Sequence, residues 1–217
     1  MSATKKTLME GFNRLFDYFG PLEWWPGDTP FEIMVGAILT QNANWRNAEL
    51  AVRNLKQAGV LSPKDMLALH PLRLQNLIRP AGFFRVKAKR LIAFLKYFVG
   101  EYGGSAARMA KEDLEKLRPE LKAINGIGSE TADSMLLYAL NKPIFVIDAY
   151  TKRILSRHAL CTEEDGYDEL QELFMDRLPH DVVLFNEYHA LIVEVGKTHC
   201  RPTNPKCDGC PLNGWNL

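Results

Sequence analysis

Apolar positions recur along this chain at helical spacing, and no stretch alternates convincingly enough to be read as a strand. The pattern predicts helices over Lys5–Phe19, Pro30–Thr40, Asn44–Gln57, Pro63–Leu69, Pro71–Ile78, Val86–Tyr102, Lys111–Leu117, Leu121–Ile124, Ser129–Ala139, Ala149–Ala159, Tyr167–Leu178 and Val182–Val195. Glycine and proline mark the breaks, at Gly20-Pro21, Pro26-Gly27-Asp28, Pro80-Ala81-Gly82 and Gly103-Gly104. The fold class is therefore all-α. The four residues Ile144-Phe145-Val146-Ile147 form an apolar run buried ahead of Asp148, which heads the helix that begins at Ala149.

The turn Asn125-Gly126-Ile127-Gly128 joins two predicted helices. Its glycines permit unusual backbone angles, and its amides, backed by the positive end of the second helix dipole, form a seat for a phosphate. Contacts made by backbone amides would be blind to base sequence. A lone Gly-x-Gly is weak evidence; joined to Asp148, eighteen residues beyond Glu130, it is much stronger.

Composition agrees with a folded protein. The 217 residues are 47% apolar and 24% charged, enough for one large or two small cores. The longest apolar runs, such as Ile33 to Leu39, are too short to span a bilayer, and the N-terminus lacks the apolar core of a secretory signal, so a cytoplasmic location is expected. A net charge of +1 announces no nucleic-acid partner by itself, so any basic footprint must be local. Two clusters qualify: Arg85, Lys87, Lys89 and Arg90, and Lys197, His199, Arg201 and Lys206. Either could equally be a solvated helix face.

The hairpin and the spaced aspartate resemble the helix-hairpin-helix DNA glycosylase superfamily, of which endonuclease III is the best-known member, and the likeness covers nearly the whole chain. The segments around Trp24-Trp25-Pro26, Leu39 to Trp45, Ile78 to Leu91 and Gly126 to Asp133 resemble its bacterial 3-methyladenine DNA glycosylase III branch most closely. The resemblance implies a two-lobed fold. A six-helix barrel with the hairpin, residues 22–133, is inserted in a lobe built from residues 1–21 and 134–217, with DNA across the cleft between lobes.

The implied reaction is base excision: a damaged base leaves the stack of double-stranded DNA, and its bond to deoxyribose is hydrolysed. Asp148 would stabilise the oxocarbenium-like sugar and orient water, although capping its helix is the commoner role for such an Asp. Family members that also cut the strand carry a lysine where this chain has Glu130, and a carboxylate cannot form an imine. Base removal without strand incision is therefore expected, by a monomer acting on the nucleoid. Trp25 and Trp45 match the aromatics that sandwich the flipped base, with Trp24 beside them as a pocket or core residue. An indole face would favour a cationic alkylated purine by roughly 0.5–2 kcal/mol per contact. Gln41 matches the residue that fills the vacated space, and Phe83 the wedge between opposing bases.

Cys200-x6-Cys207-x2-Cys210 reproduces three ligands of the family's [4Fe–4S] loop, with Asn216 at the fourth position. An altered ligand, recruitment of Cys161, or loss of the cluster are the options; a zinc site using His199 or His189, or free thiols, are the alternatives. Cys161 otherwise reads as an ordinary buried residue. A glycosylase for oxidised or mismatched pyrimidines and a non-catalytic DNA-structure binder remain the competing functions. An adenine–oxoguanine mismatch enzyme is disfavoured, since that branch carries a further C-terminal domain.

Overall fold

The computed structural model describes residues 4–22, 24, 27–162 and 164–215, and among these there are helices and turns but no strand. Capping explains where most of the helices begin. Thr4 accepts from the amide of Thr7 at the head of α1 (Lys5–Phe19), Thr29 from that of Glu32 at α2 (Pro30–Leu39), and Asn44 from that of Arg46 at α3 (Trp45–Gln57). Proline in the first turn and a polar cap likewise start α4 (Pro63–Ala68) and α5 (Pro71–Leu77).

The chain divides into two compact units. One comprises Trp25–Lys142. Its centre is α2, where Phe31 through Gly36, Ile38 and Leu39 are all buried, so this helix is apolar nearly all round rather than striped. Around it lie α3, α4, α5, a 3₁₀ turn at Arg79–Ala81, and α6 (Phe84–Tyr102). Phe98 of α6 stacks on Phe94 and on Phe31 of α2, with centroids 5.4 and 6.0 Å apart. Lys87 is fully buried: its Nζ donates to the carbonyls of Leu39 (2.8 Å) and Ala81 (2.7 Å), filling acceptors left at the end of α2 and in the 3₁₀ turn. Burial lowers its pKa to about 8. This lysine therefore does not belong to the basic surface cluster expected from sequence.

A short helix α7 (Ala106–Met109), not foreseen, precedes α8 (Leu114–Ala123). The two helices expected at Lys111–Leu117 and Leu121–Ile124 are one, with Pro119 inside it. Proline removes one helical hydrogen bond, but Leu117 and Leu121 are both fully buried on the same face and hold the turn. Next, α9 (Ser129–Ser134) continues as a π-helical turn over Met135–Ala139, closed by the Leu140 amide on the Met135 carbonyl. Ser134 keeps helical dihedrals. The unit boundary consequently falls after Lys142, not at the expected 133/134 division, which would cut this buried rod, and the first boundary falls after Trp24 rather than residue 21.

The other unit, Met1–Trp24 with Pro143–Leu217, packs α12 (Val182–Thr198) against α1 and α10 (Ala149–Arg157), with α11 (Tyr167–Met175) completing it. Phe145, from the expected apolar run, stacks on Phe174 at 3.8 Å, and its carbonyl accepts from Gln171. Tyr188 donates to the Leu8 carbonyl at 2.8 Å. The chain's tail is pinned to α1: Trp215 donates to the Thr7 carbonyl and lies against Gly11, where a side chain would collide with the indole. Among the described residues no helix is long and apolar enough to cross a membrane.

Candidate active site and nucleic-acid interface

The hairpin between α8 and α9 is a tight glycine turn. Gly126 has φ +86°, a left-handed angle that disfavours any other residue. Ile127 turns inward and is buried, anchoring the turn. Its amide donates to the Ile124 carbonyl at 3.0 Å, so this expected contact residue contributes an anchor rather than a free donor. The first helical bond of α9 runs from Ala132 N–H to the Gly128 carbonyl, and no side chain caps the helix. The amides of Ser129, Glu130 and Thr131 lie ahead of that bond, in the first turn of α9. Asn125 and Gly128 are exposed in the turn.

Two contacts set this geometry. Arg118 of α8 forms a two-pronged ion pair with the fully buried Asp133 of α9, at 2.8 and 3.1 Å, locking the two helices together. On the other side, the Gln41 amide is occupied at both ends. Its oxygen accepts from Arg90 Nη1 (2.6 Å), and its nitrogen donates to the Gly126 carbonyl and to Thr131 Oγ1 (both 2.9 Å). The expected space-filling glutamine is therefore bonded to the hairpin.

Other expected residues of this unit fall as follows. Phe83 is 69% exposed, and its φ of +44° is a strained angle for a phenylalanine. Phe84, by contrast, is half-buried, with the guanidinium groups of Arg79 and Arg85 each within 6 Å of its ring centroid. Trp45 opens α3 and is 38% exposed. Glu130 is exposed in the first turn of α9. Trp25 lies outside the described residues, and Trp24, assigned to the other unit, is half-buried.

In that other unit Asp148 caps its helix, the commoner of the two roles weighed for it. Its Oδ1 accepts from the Thr151 amide (2.7 Å) and hydroxyl (2.9 Å), which caps α10 and fixes the carboxylate plane. Its Oδ2 faces His189 Nε2 of α12 at 3.6 Å. Burial pushes the Asp148 pKa up, but the neighbouring His189 and the two Thr151 donors outweigh it, leaving the pKa below the ordinary carboxylate value. The group is an anion at neutral pH in a site nearly closed to water. His189, considered in the sequence only as a metal ligand, is buried beside this carboxylate. Nothing in the local sequence signals that pairing across some forty residues.

Cys200 at the end of α12, Cys207 and Cys210 line one cavity of about 140 Å³ with Arg157, His158 and His199. Burial raises the Cys210 thiol, and the neighbouring Cys200 and Cys207 raise it further, as expected for sulfurs brought close together. Arg157 donates to Cys200 Sγ (3.3 Å) and to the carbonyls of Arg201 and Pro202, holding the loop in shape. Among the described residues no three His, Cys, Asp or Glu side chains converge on a single metal ion. An iron–sulfur cube spreads its ligands over separate corners, so three soft thiols around a shared cavity suit it better than they suit zinc. Cys161 lines a different cavity, with Asp165 and Leu170, and is no candidate for the missing ligand; Asn216 lies outside the described residues.

Comparison with known proteins places this architecture. Residues 35–180 match the HhH-GPD superfamily base excision DNA repair proteins. The chain belongs to that superfamily, as a DNA glycosylase of the endonuclease III-like kind. A provisionally named DNA repair glycosylase of Methanocaldococcus jannaschii is 50% identical over 205 residues, 94% of this chain and 92% of that one. Endonuclease III of Thermotoga maritima is 29% identical over 183 residues, 84% and 80% of the two chains. Among solved structures, the H. pylori 3-methyladenine DNA glycosylase bound to 1,N6-ethenoadenine superposes with a TM-score of 0.74 at 27% identity, covering 91% of this chain and 98% of that one. A trapped endonuclease III–DNA covalent intermediate gives 0.83 at 22% identity, covering 97% and 94%, and attests the shared fold.

Proposed function

We propose that this glycosylase is monofunctional and removes alkylated purines, such as 3-methyladenine, from duplex DNA. The observation that carries the reading is the identity of the residue in the first turn of α9. Where the resemblance places a Schiff-base lysine in strand-cutting relatives, this chain has Glu130. The remaining acidic group, Asp148, is held as an anion by its cap and its imidazole neighbour. Hydrolysis then needs no amine. As the glycosidic bond lengthens, positive charge gathers on the sugar, and Oδ2 of Asp148 stabilises it and orients the attacking water. An N-alkylated purine already carries positive charge and departs without a general acid.

The exposed indole of Trp45 and the likeness to the H. pylori enzyme support selection of a cationic base by stacking. The exposed, strained Phe83 supports an apolar wedge. The α9 amides would take a phosphate, so affinity should fall with salt. Cys200, Cys207 and Cys210 would hold a [4Fe–4S] cluster, which would cross-link the loop after α12.

The test is a lesion panel read for free base and, separately, for covalent trapping by borohydride. Release of 3-methyladenine with no trapped protein–DNA adduct is expected, and Trp45→Ala should reduce preference for the charged base more than it reduces DNA affinity. An adduct would overturn the monofunctional assignment. Release of oxidised pyrimidines instead would reassign the substrate.

A further inference from the structure

We propose that Lys87 is a positioning residue for the wedge: its buried side chain ties the turn that presents Phe83 to the end of α2, so that the exposed ring is held in a fixed place relative to the segment that carries Gln41. The proposal rests on the reading of Phe83 as an apolar wedge. Every contact that carries it lies within one compact unit.

Burying an ammonium is unfavourable unless its donors are matched, and an apolar side chain of similar length would fill the space without that cost. What the lysine adds is a bond at each of two places. Lys87 is 1% exposed, and its Nζ reaches the Leu39 carbonyl at 2.8 Å and the Ala81 carbonyl at 2.7 Å. Leu39 ends α2, where the negative end of the helix dipole favours a cation. The carbonyls of Gly36 and Ala37 there are already taken by the Thr40 hydroxyl, at 3.0 and 3.1 Å. Ala81 ends the 3₁₀ turn, two residues before Phe83.

Phe83 is gripped from both sides by the same residue. The side chain of Lys87 holds the carbonyl of Ala81, and its backbone amide donates to the carbonyl of Phe83 itself, as does the amide of Val86, both at 3.0 Å. Between these points Gly82 and Phe83 take left-handed angles, φ +68° and +44°, and no side chain caps α6 at Phe83. On the other side of the tie, Asn42 is left-handed too, at φ +49°, three residues beyond the carbonyl that Lys87 holds. A non-glycine residue stays at such an angle only where its surroundings fix it. Both segments joined by Lys87 contain one. An aromatic that is to enter a base stack gains from arriving already ordered, because ordering it on contact would subtract from binding.

The experiment uses the full chain and a duplex carrying a tetrahydrofuran abasic-site analogue, with 2-aminopurine next to the base opposite the analogue. Entry of the wedge unstacks the 2-aminopurine and raises its fluorescence, a signal that core stability alone does not move. Variants are Phe83→Ala, Lys87→Met and the double variant, each assayed below the onset of its melting transition. We expect Phe83→Ala to abolish the rise and to weaken binding by about tenfold. Lys87→Met, with Phe83 still in place, should lose at least about half of the rise and bind about fivefold more weakly, and the double variant should bind within about twofold of Phe83→Ala. A Lys87→Met protein that keeps the full rise, or losses that multiply in the double variant, would overturn the proposal. Failure of the wedge reading looks different: Phe83→Ala would then keep both the rise and the affinity, and the proposal would go with it. If Phe83→Ala loses both and Lys87→Met loses neither, the wedge stands and the lysine serves the core alone.

Amide hydrogen exchange of the parent protein tests the same tie without any substitution, and so holds even if Lys87→Met does not fold. The first amides of a helix ordinarily fray. Here the amides of Ala81, Gly82, Val86 and Lys87 should exchange within about a hundredfold of that of Leu91 in the interior of α6. Faster exchange than that would show a turn that nothing holds, and the proposal would fall.

Discussion

Two helix starts, those of α9 and α10, use the same polar anatomy to opposite ends. At α10 the Asp148 side chain accepts the orphan amide of Thr151, so the helix satisfies itself and the carboxylate is fixed with its other oxygen facing His189. At α9 the cap position is Gly128, which has no side chain to offer the first amides. A capped start holds a charge in place, whereas an uncapped start invites one from outside. The capped start suits a reacting cation, and the uncapped one suits a phosphate.

Asp148→Asn is the sharpest way to break this contrast, because asparagine caps a helix about as well as aspartate but carries no charge. Base release under single-turnover conditions should fall by about 10²–10³-fold with the helix intact. Full activity would reduce Asp148 to a cap. The same pair of proteins tests the charge through pH. The folded-state pKa of Asp148 is depressed, so its ionisation stabilises the fold above the unfolded carboxylate value of about 3.9, and that contribution is lost as pH falls through the lower folded value. The stability gap between the parent and Asp148→Asn should accordingly be full at neutral pH and close in acid below that point, as read by chemical denaturation at several pH values.

The hairpin's rigidity comes next. Arg118→Met leaves Asp133 buried without its guanidinium partner, and removing one member of such a pair costs about 3–5 kcal/mol. Denaturant titration should show that loss. A cost under about 1 kcal/mol would place the ion pair in the class of screened surface bridges.

Most helix starts were legible because their determinants are local: Thr29-Pro30 and Ser62-Pro63 name a cap and a first turn in consecutive residues. The glycine turn and Asp148 were legible for the same reason. The break expected between Leu117 and Leu121 is absent, because two buried leucines on one face carry the helix through Pro119. Lys87 misled because a basic run gives no sign of which member the fold buries against two carbonyls. The partners of the site were hidden for a deeper reason. Arg90, Gln41 and Gly126 meet across 85 residues of chain, and His189 reaches Asp148 from another helix; no periodicity encodes either meeting.

The finest contrast lies within the hairpin, between its two glycines. Alanine at Gly126 must adopt φ near +86° and displace Arg90, whereas alanine at Gly128 meets no atom within 4 Å and keeps an extended angle. Gly126→Ala should therefore lower stability by about 1–2 kcal/mol and weaken DNA binding, since the peptide plane that Gln41 holds is forced to turn. Gly128→Ala should change stability by no more than about 0.5 kcal/mol in either direction, because the backbone angle suits alanine and only the unfolded chain loses freedom. Paired melting curves and dissociation constants measure both. If the two substitutions cost the same, the left-handed turn is not what shapes the seat. A Gly128→Ala protein that binds DNA as poorly as Gly126→Ala would instead mean that the phosphate approaches too closely for a methyl group, moving the point of contact onto Gly128 itself.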